Sequence, residues 1–149
     1  MNKPKIIAVY GVSGSGKTSL ARSMNKEGEF NQLERDEIRQ ALGYLNNGWG
    51  GYDFCPEKEY AVTHAWHVLL QESLYNSQSI IISDTMTNIV DRRCLKFLAG
   101  QYDFDMEFIR MDTPLEDCIK RDSLRGGLSV GENVIRRQWK KLNGHKEHY

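Results

Sequence analysis

The sequence predicts an α/β fold in which a parallel sheet is flanked by helices, and two observations support this. Short apolar runs alternate along the chain with longer segments of helical period, which is the pattern of successive βαβ units. The runs at 6–10 and 80–82 are continuous and rich in isoleucine, as expected of strands buried on both faces of a parallel sheet. With 149 residues, the chain suits one domain, 1–149.

The first half of the chain is expected to form two strands and three helices. The strand at 6–10 leads into a glycine-rich turn, and a helix follows over 17–26. A weaker strand is expected at 30–34 and a helix at 35–44. A loop at 46–51, whose role the sequence does not assign, precedes Pro56, which suits the first turn of a long helix at 57–75.

The second half begins with the strongest strand signal, Ile80-Ile81-Ile82, which ends at Ser83-Asp84-Thr85. We then expect a helix over 89–99, a strand over 104–111, a short helix after Pro114, a break at Gly126-Gly127 and a final helix over 132–142. The string Asp103-Phe104-Asp105 imitates a phosphatase nucleophile motif, but it precedes a strand instead of following one. We therefore expect it to have no catalytic role.

Composition and charge exclude several classes of protein. No stretch approaches the ~18–20 apolar residues of a membrane-spanning helix, and the three cysteines form no C-x-x-C pair. We therefore expect a cytoplasmic protein with neither disulfide bonds nor a zinc site. The net charge is zero, but the charges are unevenly distributed along the sequence. Residues 120–141 include seven basic and two acidic side chains, and residues 27–59 include eight acidic and three basic ones. This asymmetry places anion-binding capacity near the C-terminus.

The most specific motif is the phosphate loop, residues 11–18, whose sequence GVSGSGKT matches G-x-x-x-x-G-K-[ST] at every fixed position between a strand and a helix. Glycines allow successive N–H groups to point into one concavity, and the helix adds its free N-terminal donors. In such a motif, Lys17 can reach the β and γ phosphates of a bound nucleoside triphosphate, and Thr18 can bind the accompanying Mg²⁺. The motif predicts binding of ATP or another nucleoside triphosphate by Ser13, Gly14, Ser15, Gly16, Lys17, Thr18 and Ser19.

Two other classes of phosphate-loop protein fit less well. A regulatory GTPase needs guanine-reading and switch elements, and the sequence has no N-K-x-D and no D-x-x-G. A mechanical ATPase usually needs a longer chain. The remaining class is a small phosphotransferase, which must also hold an acceptor hydroxyl and a base.

Three further segments suit that chemistry. Asp36 and Arg39 are three residues apart on a predicted helix and therefore share a face, with Asp36 as candidate base. Asp84 ends a buried strand, a place from which phosphate-loop proteins commonly hold magnesium. Arg121 and Arg125 are four residues apart, on one face of a predicted helix before a glycine break. They suggest a lid, at about 120–131, that closes over the phosphates.

In order and interval, these segments resemble the 5′-kinase domain of the T-even phage polynucleotide kinase-phosphatase family over essentially the whole chain. The resemblance implies that Asp36 activates a 5′-hydroxyl and that Arg39 orients the acceptor end. It also implies that Arg121 and Arg125 grip the ATP phosphates, while Asp84 lies beside the metal and the acceptor. By the same resemblance, Lys17, Asp36, Arg39, Asp84 and Arg125 are the candidate catalytic residues, and Thr18 and Asp84 the candidate metal ligands.

The function expected from these observations is an ATP-dependent, magnesium-dependent 5′-hydroxyl kinase of DNA or RNA ends, active in nucleic-acid repair. A kinase of a small metabolite or nucleoside and a non-catalytic nucleotide-dependent binding module are the alternatives. Enzymes of the resembled family usually continue into a 3′-phosphatase domain, and we expect that activity to reside in another protein. The preference for DNA or RNA, homo-oligomer formation and a separate phosphatase or ligase partner stay open.

Overall fold

A four-stranded parallel sheet forms the centre of the computed structural model, which describes residues 3–44, 55–126 and 129–144. Its strands are β1 (Lys5–Tyr10), β2 (Asn31–Leu33), β3 (Ile80–Asp84) and β4 (Asp105–Arg110), in the order β2-β3-β1-β4. All described pairings are parallel. The predicted α/β fold is confirmed, and the carboxyl ends of all four strands meet at one edge of the sheet.

The described residues form six helices around the sheet. Proline starts the longest of them, as the sequence predicts, because its fixed φ and missing N–H suit a first helical turn. The helices are α1 (Lys17–Met24), α2 (Arg35–Ala41), α3 (Pro56–Tyr75), α4 (Ile89–Gln101), α5 (Leu115–Ser123) and α6 (Glu132–Asn143).

Two helices end earlier than expected, and local hydrogen bonds explain both ends. α1 stops at Met24 because the side chain of Asn25 bonds both the N–H and the C=O of Phe30, turning the chain toward β2. α2 stops at Ala41 because Gly43 takes a left-handed φ of 77°. The next residue then donates its N–H to the carbonyl of Arg39, which closes a Schellman motif.

The core lies on both faces of the sheet, in keeping with the uninterrupted apolar runs of β1 and β3. Alternate residues of each strand point to opposite faces. On one face Ile7, Val9 and Ile81 pack against Ala21 of α1. The larger cluster on the other face includes Ile6, Ala8, Ile80, Ile82, Val62, Trp66, Leu70, Leu95, Ile135 and Leu142.

Several other sequence expectations concern positions away from the phosphate loop. Asp103 and Asp105 lie at the amino end of β4, where Lys3 pairs with them at 3.0 and 3.6 Å, so they are at the sheet edge opposite the phosphate loop. None of the helices that the structure describes is long and apolar enough to cross a membrane. The loop at 46–51 and Gly127 lie outside the described residues.

Candidate active site

The phosphate loop joins β1 to α1, and its glycines take backbone angles that other residues rarely adopt. Gly14 and Gly16 have φ of 79° and 90°. A Cβ on Gly14 would lie 2.3 Å from the carbonyl oxygen of Cys118, so α5 packs directly on the outside of the loop. The Oγ of Ser15 is buried and has no hydrogen-bond partner among the described residues. The loop is thus tightly curved and closely packed, and the Oγ of Ser15 is a polar atom in it that no described residue pairs with.

Lys17 and Thr18 follow the loop at the start of α1. The Nζ of Lys17 donates to the carbonyl of Val12 at 3.4 Å, and burial lowers the pKa of Lys17 against the opposing attraction of Asp84. The Oγ1 of Thr18 lies 3.4 Å from the Oγ of Ser83 on β3. Ser83 therefore joins the residues that face the loop, although the sequence did not single it out.

Asp84 ends β3 as a buried carboxylate held by two donors. Its Oδ1 accepts from the N–H of Arg35 and its Oδ2 from the indole N–H of Trp66, both at 3.0 Å. Burial raises the pKa of Asp84 to about 6, although the Arg35 N–H, the Trp66 N–H and nearby cations oppose the shift. Trp66 was not predicted, since no sequence pattern pairs a helix interior with a strand end.

Asp36 lies between two arginines. Its Oδ1 pairs with Nη1 of Arg39 at 2.7 Å, so the expected shared helical face is confirmed. Its Oδ2 is 3.7 Å from Nη2 of Arg125. Glu59 of α3, also missed by the sequence analysis, accepts from Nε and Nη2 of Arg39 at 3.0 Å each. Arg39 is therefore a fixed guanidinium that orients the Asp36 carboxylate.

The two arginines that the sequence analysis places in a lid do not share a helical face, and the expectation of a shared face was wrong. Arg121 belongs to α5, but the helix ends at Ser123 and Arg125 lies in the turn beyond it. The N–H of Arg125 bonds the carbonyl of Asp122, three residues back, so the backbone has left α-helical geometry there. Even so, Nη1 of Arg121 is 3.3 Å from the position a Cβ on Gly16 would take. Both arginines thus face the site.

A glutamine from the last helix completes the surroundings of the loop. The Oε1 of Gln138 on α6 accepts from the N–H of Ser13 at 2.8 Å. The two residues are 125 positions apart, and the sequence analysis did not identify Gln138. The contact connects the C-terminal helix to the wall of the phosphate loop.

These elements enclose a cleft of about 620 Å³ between the phosphate loop, α2 and the segment that carries Arg121 and Arg125. A second cleft of about 560 Å³ shares Arg35, Arg39, Asp84 and Thr85 with it, so the two lie side by side. Every predicted site residue except Ser15 lines the first cleft: Ser13, Gly14, Gly16, Lys17, Thr18, Ser19, Asp36, Arg39, Asp84, Arg121 and Arg125. The structure thus brings the segments predicted from the sequence into one place.

A phosphate loop between β1 and α1, with carboxylates and arginines at the same sheet edge, defines a nucleoside-triphosphate-binding protein of the phosphate-loop kinase type. The chain belongs to the AAA_33 family, an AAA domain family, which matches residues 6–147.

Relatives in sequence carry kinase names. The chain is 24% identical over 157 residues to the 5-hmdU DNA kinase of Pseudomonas phage PaMx11, covering 95% of this chain and 73% of that protein. It is 22% identical to the protein assigned as a bifunctional polynucleotide kinase/RNA ligase of Autographa californica nuclear polyhedrosis virus, covering 93% of this chain but 21% of that protein. The resemblance to polynucleotide kinases expected from the motifs is confirmed.

Solved structures share the fold. The Pnkp1/Rnl/Hen1 RNA repair complex contains a chain that matches all of this one with a TM-score of 0.82 and 24% identity. This chain spans 47% of that longer one. A gluconokinase from Sinorhizobium meliloti 1021 matches 99% of this chain with a TM-score of 0.61 and 18% identity.

Proposed function

We propose that this chain is a polynucleotide 5′-hydroxyl kinase, which transfers the γ-phosphoryl group of ATP or another nucleoside triphosphate to the 5′-OH end of DNA or RNA. One observation supports this above the others. Asp36, a half-exposed carboxylate oriented by Arg39, lines the same cleft as Lys17 of the phosphate loop and the lid residue Arg125. A base and a phosphate site in one cleft are what phosphoryl transfer to a hydroxyl requires.

On the donor side, the N–H groups of the phosphate loop and the ammonium of Lys17 would bind the phosphates. The guanidinium groups of Arg121 and Arg125 lie over the same cleft and would balance charge as it builds up on the γ-phosphoryl oxygens. The unpaired Oγ of Ser15 adds one polar atom that a phosphate oxygen could satisfy.

The residues beside the loop fit a magnesium ion. The hydroxyls of Thr18 and Ser83 are 3.4 Å apart and the carboxylate of Asp84 ends the same strand as Ser83, and such oxygens are the ligands Mg²⁺ prefers. Each oxygen of Asp84 already accepts one protein hydrogen bond, so we assign this carboxylate to the water shell of the ion and Thr18 to direct contact. When bound, the ion neutralises charge on the β and γ phosphates.

On the acceptor side, Asp36 would accept the proton of the attacking hydroxyl. A bond forms between that oxygen and the γ phosphorus while the bond from phosphorus to the bridging oxygen breaks, and the nucleoside diphosphate leaves. Arg39 orients Asp36, because Nη1 of its guanidinium pairs with Asp36 while Nε pairs with Glu59 on α3. The base is thus held in position by one side chain that is itself anchored.

A second candidate acceptor is a hydroxyl carried on a DNA base. The phage relative is named a 5-hmdU DNA kinase, and the match spans 95% of this chain. The two acceptors differ in where the hydroxyl lies on the polynucleotide, while Lys17, Asp36 and the lid would serve either. Substrate choice would then depend on the second cleft, which adjoins Arg39 and Asp84.

Labelled phosphate transfer from ATP distinguishes these acceptors. Three oligonucleotides are compared with Mg²⁺ present: one with a 5′-OH end, one with a 5′-phosphate end, and one with a 5′-phosphate end and an internal 5-hydroxymethyluracil. Label on the first alone supports the proposal, and label on the third alone supports the base hydroxyl. A nucleoside and gluconate are tested in parallel reactions, and label on one of these alone would make the chain a small-molecule kinase. Loss of all transfer on chelation of the metal is expected in either of the first two cases.

We further propose that residues 1–149 form one kinase domain with its lid at 120–131 and that the reaction takes place in the cytoplasm, where nucleoside triphosphates are supplied. The structural match to a chain of an RNA repair complex favours partners that also act in nucleic-acid repair, such as a phosphatase or a ligase.

A further inference from the structure

We propose that Asp122 is a positioning residue, whose buried carboxylate folds the lid around itself and so directs Arg125 into the cleft. Asp122 lies in the last turn of α5, between the two lid arginines, and is 1% exposed. Neither the phosphate-loop motif nor the proposed transfer reaction assigns it a role. The inference rests on the proposed function only for its effect on the rate of transfer.

Three donors from the returning lid segment converge on this carboxylate. Its Oδ2 accepts from the hydroxyl of Ser129 at 2.6 Å and from the N–H of Gly131 at 3.0 Å, and its Oδ1 accepts from the N–H of Val130 at 3.1 Å. Nη1 of Arg125 lies 3.6 Å from the same Oδ1. Both oxygens of this buried carboxylate therefore have hydrogen-bond donors within the protein.

The position of these donors explains why the lid needs Asp122. Gly131 is the N-cap of α6 and, being glycine, supplies no side-chain cap. Asp122, on another helix, instead accepts from the N–H of this N-cap residue and from the N–H of the residue before it, and so places its carboxylate at the start of α6. Residues 129–131 are thereby held against the end of α5, next to the turn that carries Arg125.

Arg125 depends on this arrangement for its direction. Its side chain is 35% exposed, and its two described ion pairs are with Asp122 on the lid and Asp36 on α2. With Nη1 held on Asp122, Nη2 is the atom that faces the cleft. Loss of the Asp122 charge would leave Arg125 attached to a loosened turn, and a shift of about 1 Å at such a group can slow a reaction about 100-fold.

The test is a double-mutant cycle between Asp122→Asn and Arg125→Ala. Asparagine keeps the size of the side chain but places an N–H₂ group against N–H donors and removes the charge. We expect Asp122→Asn to lower kcat about 10- to 100-fold and to weaken ATP binding, measured by calorimetry, about 10-fold. In the Arg125→Ala background, Asp122→Asn should change kcat and ATP affinity by less than about 3-fold each, because the effect of losing Asp122 acts through Arg125.

Two controls accompany the cycle. Glu116→Gln removes an exposed carboxylate from the same helix, paired only with Arg136 among the described contacts, and should stay within about 2-fold of the wild type. Ser129→Ala removes one of the three donors and should show a smaller loss of the same kind. If Asp122→Asn does not fold, Ser129→Ala takes its place in the cycle.

If Asp122→Asn lowered kcat and ATP affinity as much in the Arg125→Ala background as it does in the wild type, the proposal would be overturned. Asp122 would then be a residue of general stability. Wild-type kinetics in Asp122→Asn would overturn it as well. Should the wild type phosphorylate no oligonucleotide, the proposed function fails, while the ATP affinities of the four proteins still decide the role of Asp122.

Discussion

Asp36 and Arg125 form an ion pair that joins the acceptor side of the cleft to the lid, with Oδ2 and Nη2 3.7 Å apart. Each of the two has a second partner on its own side, Arg39 for Asp36 and Asp122 for Arg125. A triphosphate carries more negative charge than one carboxylate, so bound ATP should draw Arg125 toward itself. Asp36 would then be available to the acceptor hydroxyl only after the donor has bound.

Replacing Asp36 separates donor binding from transfer. Asp36→Asn should bind ATP within about 3-fold of the wild type, because the substituted group contacts the acceptor side and Lys17 is unchanged. Its kcat for phosphate transfer should fall about 10²- to 10⁴-fold, since the base is lost. Calorimetry with ATP and steady-state transfer assays give the two values.

Glu37→Gln is the matched control, because Glu37 is the next carboxylate on α2 and pairs with Arg22 instead. It should retain near wild-type kcat. Equal loss of ATP affinity and transfer in Asp36→Asn would remove Asp36 from its role as base.

The contact between Gly14 and α5 predicts an unequal effect of two glycine substitutions. Gly14→Ala forces a Cβ to within 2.3 Å of a backbone oxygen at a φ of 79°, while Gly43→Ala has a similar φ of 77° and nothing within 4 Å. The left-handed backbone costs about 1 kcal/mol in each. The clash should bring the loss in Gly14→Ala to at least about 3 kcal/mol.

Chemical denaturation of both variants measures these losses, and ATP titration follows the loop itself. Gly14→Ala should lose ATP binding, and Gly43→Ala should keep it. Similar stabilities for the two variants would mean that α5 is not packed on the loop.

The buried carboxylate of Asp84 predicts a pH dependence of stability. Burial raises its pKa from 3.8 to about 6, so the folded protein binds this proton more tightly than the unfolded chain does. The contribution is therefore fully present below about pH 4 and is lost as the pH rises through 6. Its size is about 3 kcal/mol. Asp84→Asn should lack this component, which appears as the difference between variant and wild type in unfolding free energy from pH 4 to 7.

An exposed aspartate provides the comparison. Asp105→Asn, at the opposite edge of the sheet beside Lys3, should follow the wild-type curve over the same range. A constant difference between Asp84→Asn and the wild type at all these pH values would contradict a raised pKa.

Trp66 should influence the same titration. Trp66→Phe keeps an aromatic ring but removes the N–H that stabilises the ionised form of Asp84. The pKa of Asp84 should rise further, so the fall in stability should move to higher pH. Trp139→Phe, a part-buried tryptophan of α6 packed against the core, should leave the midpoint in place. Identical midpoints in the two variants would show that the indole does not act on Asp84.

The fold and most of the cleft could be predicted because the relevant signals are local. Buried strands read as apolar runs, and in a parallel sheet the residues just after them, such as the phosphate loop and Asp84, must meet at one edge. The pairing of Asp36 with Arg39 follows from helical spacing alone. Each of these inferences needs only a few neighbouring positions.

The residues that were missed act across long sequence distances. Gln138 meets Ser13 and Trp66 meets Asp84 through the packing of whole helices on the sheet, and a single sequence carries no record of such pairs. The expected shared face of Arg121 and Arg125 was wrong for a related reason. Helical spacing holds only while the helix continues, and the hydrogen bonds from residues 129–131 to Asp122 accompany a different turn after Ser123.

The ion pairs of Lys3 with Asp103 and Asp105 mark an end of the molecule that is suited to attachment to a solid support. They lie where β1 begins, and the six residues of β1 separate that end from the phosphate loop by about 20 Å. A biotin or affinity handle on the amino end would therefore leave the cleft facing solution. Immobilised in this orientation, the protein would be suited to biosensor measurements with oligonucleotides.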